Sequence, residues 1–137
     1  MKVSVYHVQL NISNAKNSLP FYKKLLSYFE YRIIDESKEH IGASNGTTDF
    51  WIIQTDKDHQ HKNYHRKATG LNYICFKVSS KEEVDKFCKE FLHKNNIKTL
   101  YNTLKKFPEY HQEYYAVFFE DPDKIKLEVT FVPSRNN

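Results

Sequence analysis

The chain has 137 residues, which fits a single domain and is long enough to bury a substantial core. Ten Phe, ten Tyr and 28% charged residues make a soluble globular composition and exclude a disordered one. The net charge of +4 is spread over dispersed lysines, with no Lys/Arg run longer than two residues, such as Lys105-Lys106, so there is no stripe for nucleic acid. No apolar run approaches the roughly 20 residues that cross a bilayer, and the N-terminus enters a strand pattern directly, without a signal peptide. Cys75 and Cys88 lack zinc or redox spacing and suit a reducing, cytoplasmic setting.

Residues 3–12 alternate, with Ser4, Tyr6, Val8, Leu10 and Ile12 on one face and Val3, Val5, His7, Gln9 and Asn11 on the other. That period predicts a strand. From Asn14 to about Phe29, the positions Leu19, Tyr22, Leu25, Leu26 and Phe29 recur at helical spacing, with Asn14 or Ser13 as N-cap. Pro20 conflicts with this helix, because it removes a backbone donor and predicts a kink. Strands are expected at 31–36, 40–44 and 49–55, the last two joined by the turn Ser44-Asn45-Gly46. The polar, His-rich stretch 56–67 reads as a linker.

The order then repeats. Residues 71–78 form a strand pattern, and Ser80-Lys-Glu-Glu83 is a capping box. The helix it opens presents Val84, Phe87, Cys88, Phe91 and Leu92 to a core. Strands follow at 97–102, 114–119 and 125–131, with Asp121-Pro-Asp123 turning between the last two. At an offset of 66 residues, His7-Val-Gln-Leu-Asn-Ile-Ser13 falls on Tyr73-Ile-Cys-Phe-Lys-Val-Ser79, Phe21 on Phe87, Leu25 on Phe91 and Leu26 on Leu92. One supersecondary unit is used twice. The reading is α+β: one domain, 1–137, of two βαβββ modules, 1–66 and 67–137.

Three stretches carry a resemblance. They are Tyr6-His-Val-Gln-Leu-Asn-Ile-Ser13 with Ser18-Leu-Pro-Phe-Tyr-Lys-Lys-Leu-Leu26, Gly70-Leu-Asn-Tyr-Ile-Cys-Phe-Lys-Val78, and Tyr114-Tyr-Ala-Val-Phe-Phe-Glu-Asp-Pro-Asp-Lys-Ile-Lys-Leu-Glu128. Together the chain resembles the vicinal oxygen chelate superfamily of glyoxalases, extradiol dioxygenases, and fosfomycin- and bleomycin-resistance proteins. The resemblance implies pseudo-twofold symmetry and a curved sheet around a cup-shaped cavity. It also implies a divalent metal (zinc, nickel, iron or manganese) held from the first and last strands of each module.

Position by position, the implied metal set is His7, Tyr73 and Glu128, with Glu128 also the catalytic proton carrier. Tyr73 stands where the family usually has His. Trp51 or Ile53 stands where glyoxalases carry a carboxylate, and His65 or His111 could complete the coordination. Gln9, Trp51, His111 and Tyr115 are the substrate-binding candidates. Read without the resemblance, Glu128 could pair with Lys126 across one intervening residue, and the cysteines are core.

Two functions follow as expectations. The first is a glyoxalase-like, metal-dependent lyase or isomerase acting on a small substrate with adjacent oxygens. The alternative is a metal-free protein that binds a small drug or toxin in a cup lined by Trp51, Tyr73 and Tyr115, with an extradiol-type dioxygenase ranked lower. The partner is a small molecule, not nucleic acid or membrane, and the chain is a monomer or homodimer.

Overall fold

The computed structural model describes residues 1–134. The chain divides into two compact units, the first Met1–Asn63 and the second running from Tyr64. Among the described residues no helix is long and apolar enough to cross a membrane.

The first unit contains β1 (His7–Ile12), α1 (Ala15–Tyr28), β2 (Arg32–Glu36), β3 (His40–Ser44) and β4 (Asp49–Gln54). The sheet order is β1-β4-β3-β2, with β1 parallel to β4 and the other pairs antiparallel. Leu10 and Ile12 are buried while His7, Gln9 and Asn11 are exposed, as the alternation predicts. Residues 3–6 stay outside the strand. The ladder with β4 opens at the His7–Asp49 pair, and Val3, Val5 and Tyr6 are exposed.

Asn14 caps α1, its side chain accepting from Lys16 N at 3.0 Å. One stripe of α1 is buried: Ala15, Ser18, Leu19, Tyr22, Leu25 and Leu26. The expected kink is absent in the sense that α1 runs through Pro20 without interruption. Burying Leu19, Leu25 and Leu26 stabilises by about 1.5–3 kcal/mol each, which outweighs the roughly 3 kcal/mol cost of a helix-interior proline. Pro20 is also on the exposed side of the helix, as is Lys16, whose carbonyl loses the donor that Pro20 lacks.

The second unit repeats the plan with β5 (Tyr73–Val78), α2 (Lys81–Phe87), β6 (Thr99–Lys106), β7 (Tyr115–Glu120) and β8 (Lys126–Phe131). A wider π-helical segment, Cys88–His93, extends α2. The order is β5-β8-β7-β6, with β5 parallel to β8. Ser80 Oγ accepts from Glu83 N at 3.2 Å, and Glu83 Oε2 accepts from Ser79 N at 2.7 Å, so the capping box closes one residue early. Val84, Phe87, Cys88, Phe91 and Leu92 are all buried.

The internal repeat extends further than the apolar pattern alone. Glu30 (φ +64°) and Asn96 (φ +54°), 66 residues apart, both end their helices in the left-handed conformation. Tyr31 N and Ile97 N then donate to Leu26 O and Leu92 O, each at 2.9 Å. After this point the copies diverge. The strand expected at 97–102 runs on to Lys106 through a bulge, and its register against β7 jumps between Leu100 and Lys105. Tyr101 (φ +59°) and Asn102 (φ +53°) are left-handed there, at a cost of roughly 1–2 kcal/mol per residue. Thr103 Oγ1 accepts from Phe118 N at 3.0 Å and donates to Leu100 O at 2.6 Å, replacing ladder bonds that the bulge removes.

Candidate functional site

The second sheet has one face against α2, where Phe87 meets Phe119 at 5.4 Å between ring centroids. Register places Cys75, Glu128 and Phe118 side by side across β5, β8 and β7, on the other face. Glu128 is 0% exposed, and so are its neighbours Leu127 and Val129. Strand β8 is therefore buried on both faces at this point. Glu128 does not pair with Lys126. Tyr114 Oη donates to Glu128 Oε1 at 2.6 Å, and Oε2 has no hydrogen-bond partner.

Burial drives the electrostatics of this cluster. Desolvation raises the Glu128 carboxyl above its ordinary range, opposed by the Tyr114 hydrogen bond and by the adjoining Cys75 thiol, which makes no well-formed bond to Oε2. The Tyr114 phenol is pushed up by burial and then by its bond to Glu128. Cys75, exposed over the residue as a whole, has its thiol pushed up to about 12 by desolvation and by Glu128. At that value it stays a thiol at neutral pH and is no nucleophile.

The same unit holds a cavity of about 310 Å³ bounded by Tyr73, Tyr101, Phe107, Tyr110, Phe118 and Lys126. Lys126 Nζ lies 4.6 Å from the Tyr73 ring centroid, 5.5 Å from Phe118 and 5.6 Å from Tyr101. Each such contact contributes about 0.5–2 kcal/mol, more as water is excluded. The ammonium forms no ion pair or hydrogen bond among the described residues. Phe107 stands edge-on to Phe118 at 5.5 Å and stacks on Tyr110 at 5.6 Å, which fixes the wall.

In the first unit, His7, Gln9 and Trp51 share the face away from α1, Gln9 directly opposite Trp51. His7 and Gln9 are exposed and Trp51 is half-buried. The Trp51 indole lies on Gly42, where an added Cβ would come within 2.6 Å of the ring. Asp35, His40 and Ser37 form a chain of hydrogen bonds, each 2.8 Å. Ser37 Oγ also accepts from Glu39 N and His40 N, so this trio closes the β2–β3 turn and is not a nucleophile site.

The remaining candidates are not in the cavity. Tyr115 is on the helix side of β7 and donates to Asp85 Oδ1 at 2.7 Å. His65 and His111 are exposed, and their Nδ1 atoms accept from Lys67 N and Glu113 N within turns. The implied metal set is divided, with His7 in the first unit and Tyr73 and Glu128 in the second. The second unit's part of it does not fit a divalent ion. Its carboxyl is enclosed with Oε1 taken up by Tyr114, its other member is a phenol, and an ammonium sits beside that phenol. Among the described residues no three His, Cys, Asp or Glu side chains are grouped to hold a metal.

Sequence reasoning missed Tyr114, Tyr101, Phe118 and Lys126, and assigned Cys75 to the core. The usable signal was parity: Phe118 is opposite Glu128, so the even positions of β7 face the carboxyl and Tyr115 faces away.

No family model matches the chain. A crystal structure of a candidate glyoxalase from Bacillus halodurans is 30% identical, with a TM-score of 0.84, covering 93% of this chain and 95% of that one. The uncharacterized protein YqjT of Bacillus subtilis (strain 168) is 29% identical over 125 residues, 91% of this chain and 96% of YqjT. A glyoxylase/bleomycin resistance protein/dioxygenase domain from Frankia sp. EAN1pec shares the fold, at 19% identity and a TM-score of 0.73, over 97% of this chain and all 100% of that one. By its two βαβββ units and these relatives, the chain belongs to the vicinal oxygen chelate superfamily of glyoxalases, bleomycin-resistance proteins and dioxygenases.

Proposed function

We propose that this chain is a metal-independent small-molecule-binding member of the superfamily, not a metal-dependent lyase or isomerase. The observation that carries this reading is the state of Glu128. A ligand or base must present a charged carboxylate to its ion or substrate. Here the carboxyl is fully buried and its Oε1 is taken up by Tyr114. The matching register position in the first unit is Trp51, which brings no donor for an ion. What the second unit offers instead is an aromatic cavity of a size at the small end of ligand pockets.

The test is elemental analysis of protein purified without chelator or added metal, followed by thermal unfolding with zinc, nickel, iron(II) and manganese. The expected result is far less than one ion per chain and no rise in Tm, since an ion that bound only the folded state would raise it. One ion per chain, lost in Glu128→Gln, would overturn the reading.

A further inference from the structure

The cavity of the second unit also carries information about the charge of its ligand. Five of its six lining side chains are aromatic, and the sixth is Lys126. An aromatic enclosure by itself suits a cation, through the negative faces of the rings. Here that place is already taken by the protein's own ammonium, whose Nζ is within 5.6 Å of three of the rings. A second cation would meet a like charge at close range in a partly desolvated site. Lys105 adds another ammonium, 5.1 Å from the Phe107 ring. Glu128, the acid on this face, is enclosed, with its Oε1 taken up by Tyr114, and it is not among the residues that line the cavity. Lys126 feels the buried Glu128 carboxyl but forms no ion pair with it or with any other acid among the described residues, so its ammonium can still meet a ligand.

We propose that this cavity binds a small organic anion with a flat apolar body, the anionic group on Lys126 Nζ and the body against Tyr73, Tyr101 and Phe118. The inference rests on the small-molecule-binding reading above and adds the ligand class to it. The bulge in β6 serves the same site, because it holds Tyr101 over Phe118, ring centroids 5.5 Å apart, at a position where an ordinary strand residue would continue the ladder. The carboxylate would replace part of the ammonium's contact with the rings, while the apolar body would keep the rings out of water.

The experiment is isothermal titration calorimetry of the whole chain with three probes that share one apolar body: 2-naphthoate, 2-naphthalenemethanol and 2-naphthylmethylammonium. Naphthoate should bind at least about tenfold more tightly than the alcohol, as expected of a charge-assisted hydrogen bond, and the ammonium probe most weakly. Lys126→Met, which keeps the apolar stem, should erase the preference for naphthoate while leaving the alcohol's affinity within about threefold. Lys126→Arg should restore the preference. If the alcohol or the ammonium probe binds the parent as well as naphthoate does, the charge inference is overturned and the binding reading stands. If none of the three binds, both are overturned. If Lys126→Met and Lys126→Arg both keep the parent preference, the anion is held elsewhere and the inference fails.

Discussion

Tyr114 Oη sits 2.6 Å from Glu128 Oε1, and it is the one hydrogen bond that this fully buried carboxyl makes among the described residues. The position is the one at which the family resemblance implies a metal ligand, so the company Glu128 keeps bears directly on what the chain does.

Removing the phenolic hydroxyl takes away the carboxyl's one well-formed donor and leaves only the adjoining Cys75 thiol. Tyr114→Phe should destabilise the protein by about 1–3 kcal/mol, the cost of an unsatisfied buried acceptor. Because that bond favours the charged form, its loss should also drive the Glu128 carboxyl further up. Urea denaturation at pH 7 measures the first effect, and a variant as stable as the parent would mean that the bond contributes nothing.

The pH dependence has a definite sign. Glu128 binds its proton more tightly in the folded state than in the unfolded chain, because desolvation raises its folded value. Its contribution is therefore most favourable below the ordinary carboxylate range and is lost as pH rises through the raised folded value. Relative to Glu128→Gln, which cannot ionise, the parent should lose stability across that window and then level off. Paired denaturation curves from pH 4 to pH 8 check this, and a difference that moves the opposite way contradicts the buried, neutral-leaning carboxyl.

Gly42 is the bed for the Trp51 indole, with no room for a methyl group. Gly42→Ala should push the ring off the sheet, at a cost of about 1–3 kcal/mol for overpacking. Trp51 is the chain's single tryptophan, so its fluorescence reports the displacement without interference. An unchanged emission spectrum would place the ring elsewhere.

Tyr101 holds a left-handed backbone that glycine adopts without steric penalty. Tyr101→Gly should therefore leave stability within about 1 kcal/mol of the parent, strain relief offsetting the lost ring contacts. It should nevertheless weaken 2-naphthoate binding. A large loss of stability with binding unchanged would make Tyr101 a packing residue only.

Most of the fold was legible because it rests on local chemistry. The caps Asn14 and Ser80, the apolar stripe Val84–Phe87–Cys88–Phe91–Leu92 and the alternation of β1 each depend on side chains close in sequence. The site was less legible because it depends on long-range facts. Alternation made Glu128 polar among apolar neighbours, but it could not report that both faces of β8 are covered. Tyr115 and Tyr114 are neighbours in sequence, yet one bonds Asp85 on the helix side and the other bonds Glu128, because one residue moves a side chain to the opposite face. The bulge that sets Tyr101 over the cavity has no glycine to announce it.

The central claim is that the second unit's aromatic cavity binds a small ligand without a metal. The most direct measurement is a two-dimensional ¹H–¹⁵N NMR titration of the whole chain with 2-naphthoate in excess EDTA. The account predicts saturable shifts concentrated at Tyr73, Tyr101, Phe118 and Lys126, unaltered when zinc or manganese replaces the chelator. Shifts that appear only after a divalent metal is added, or that centre on His7 instead of Lys126, would contradict it.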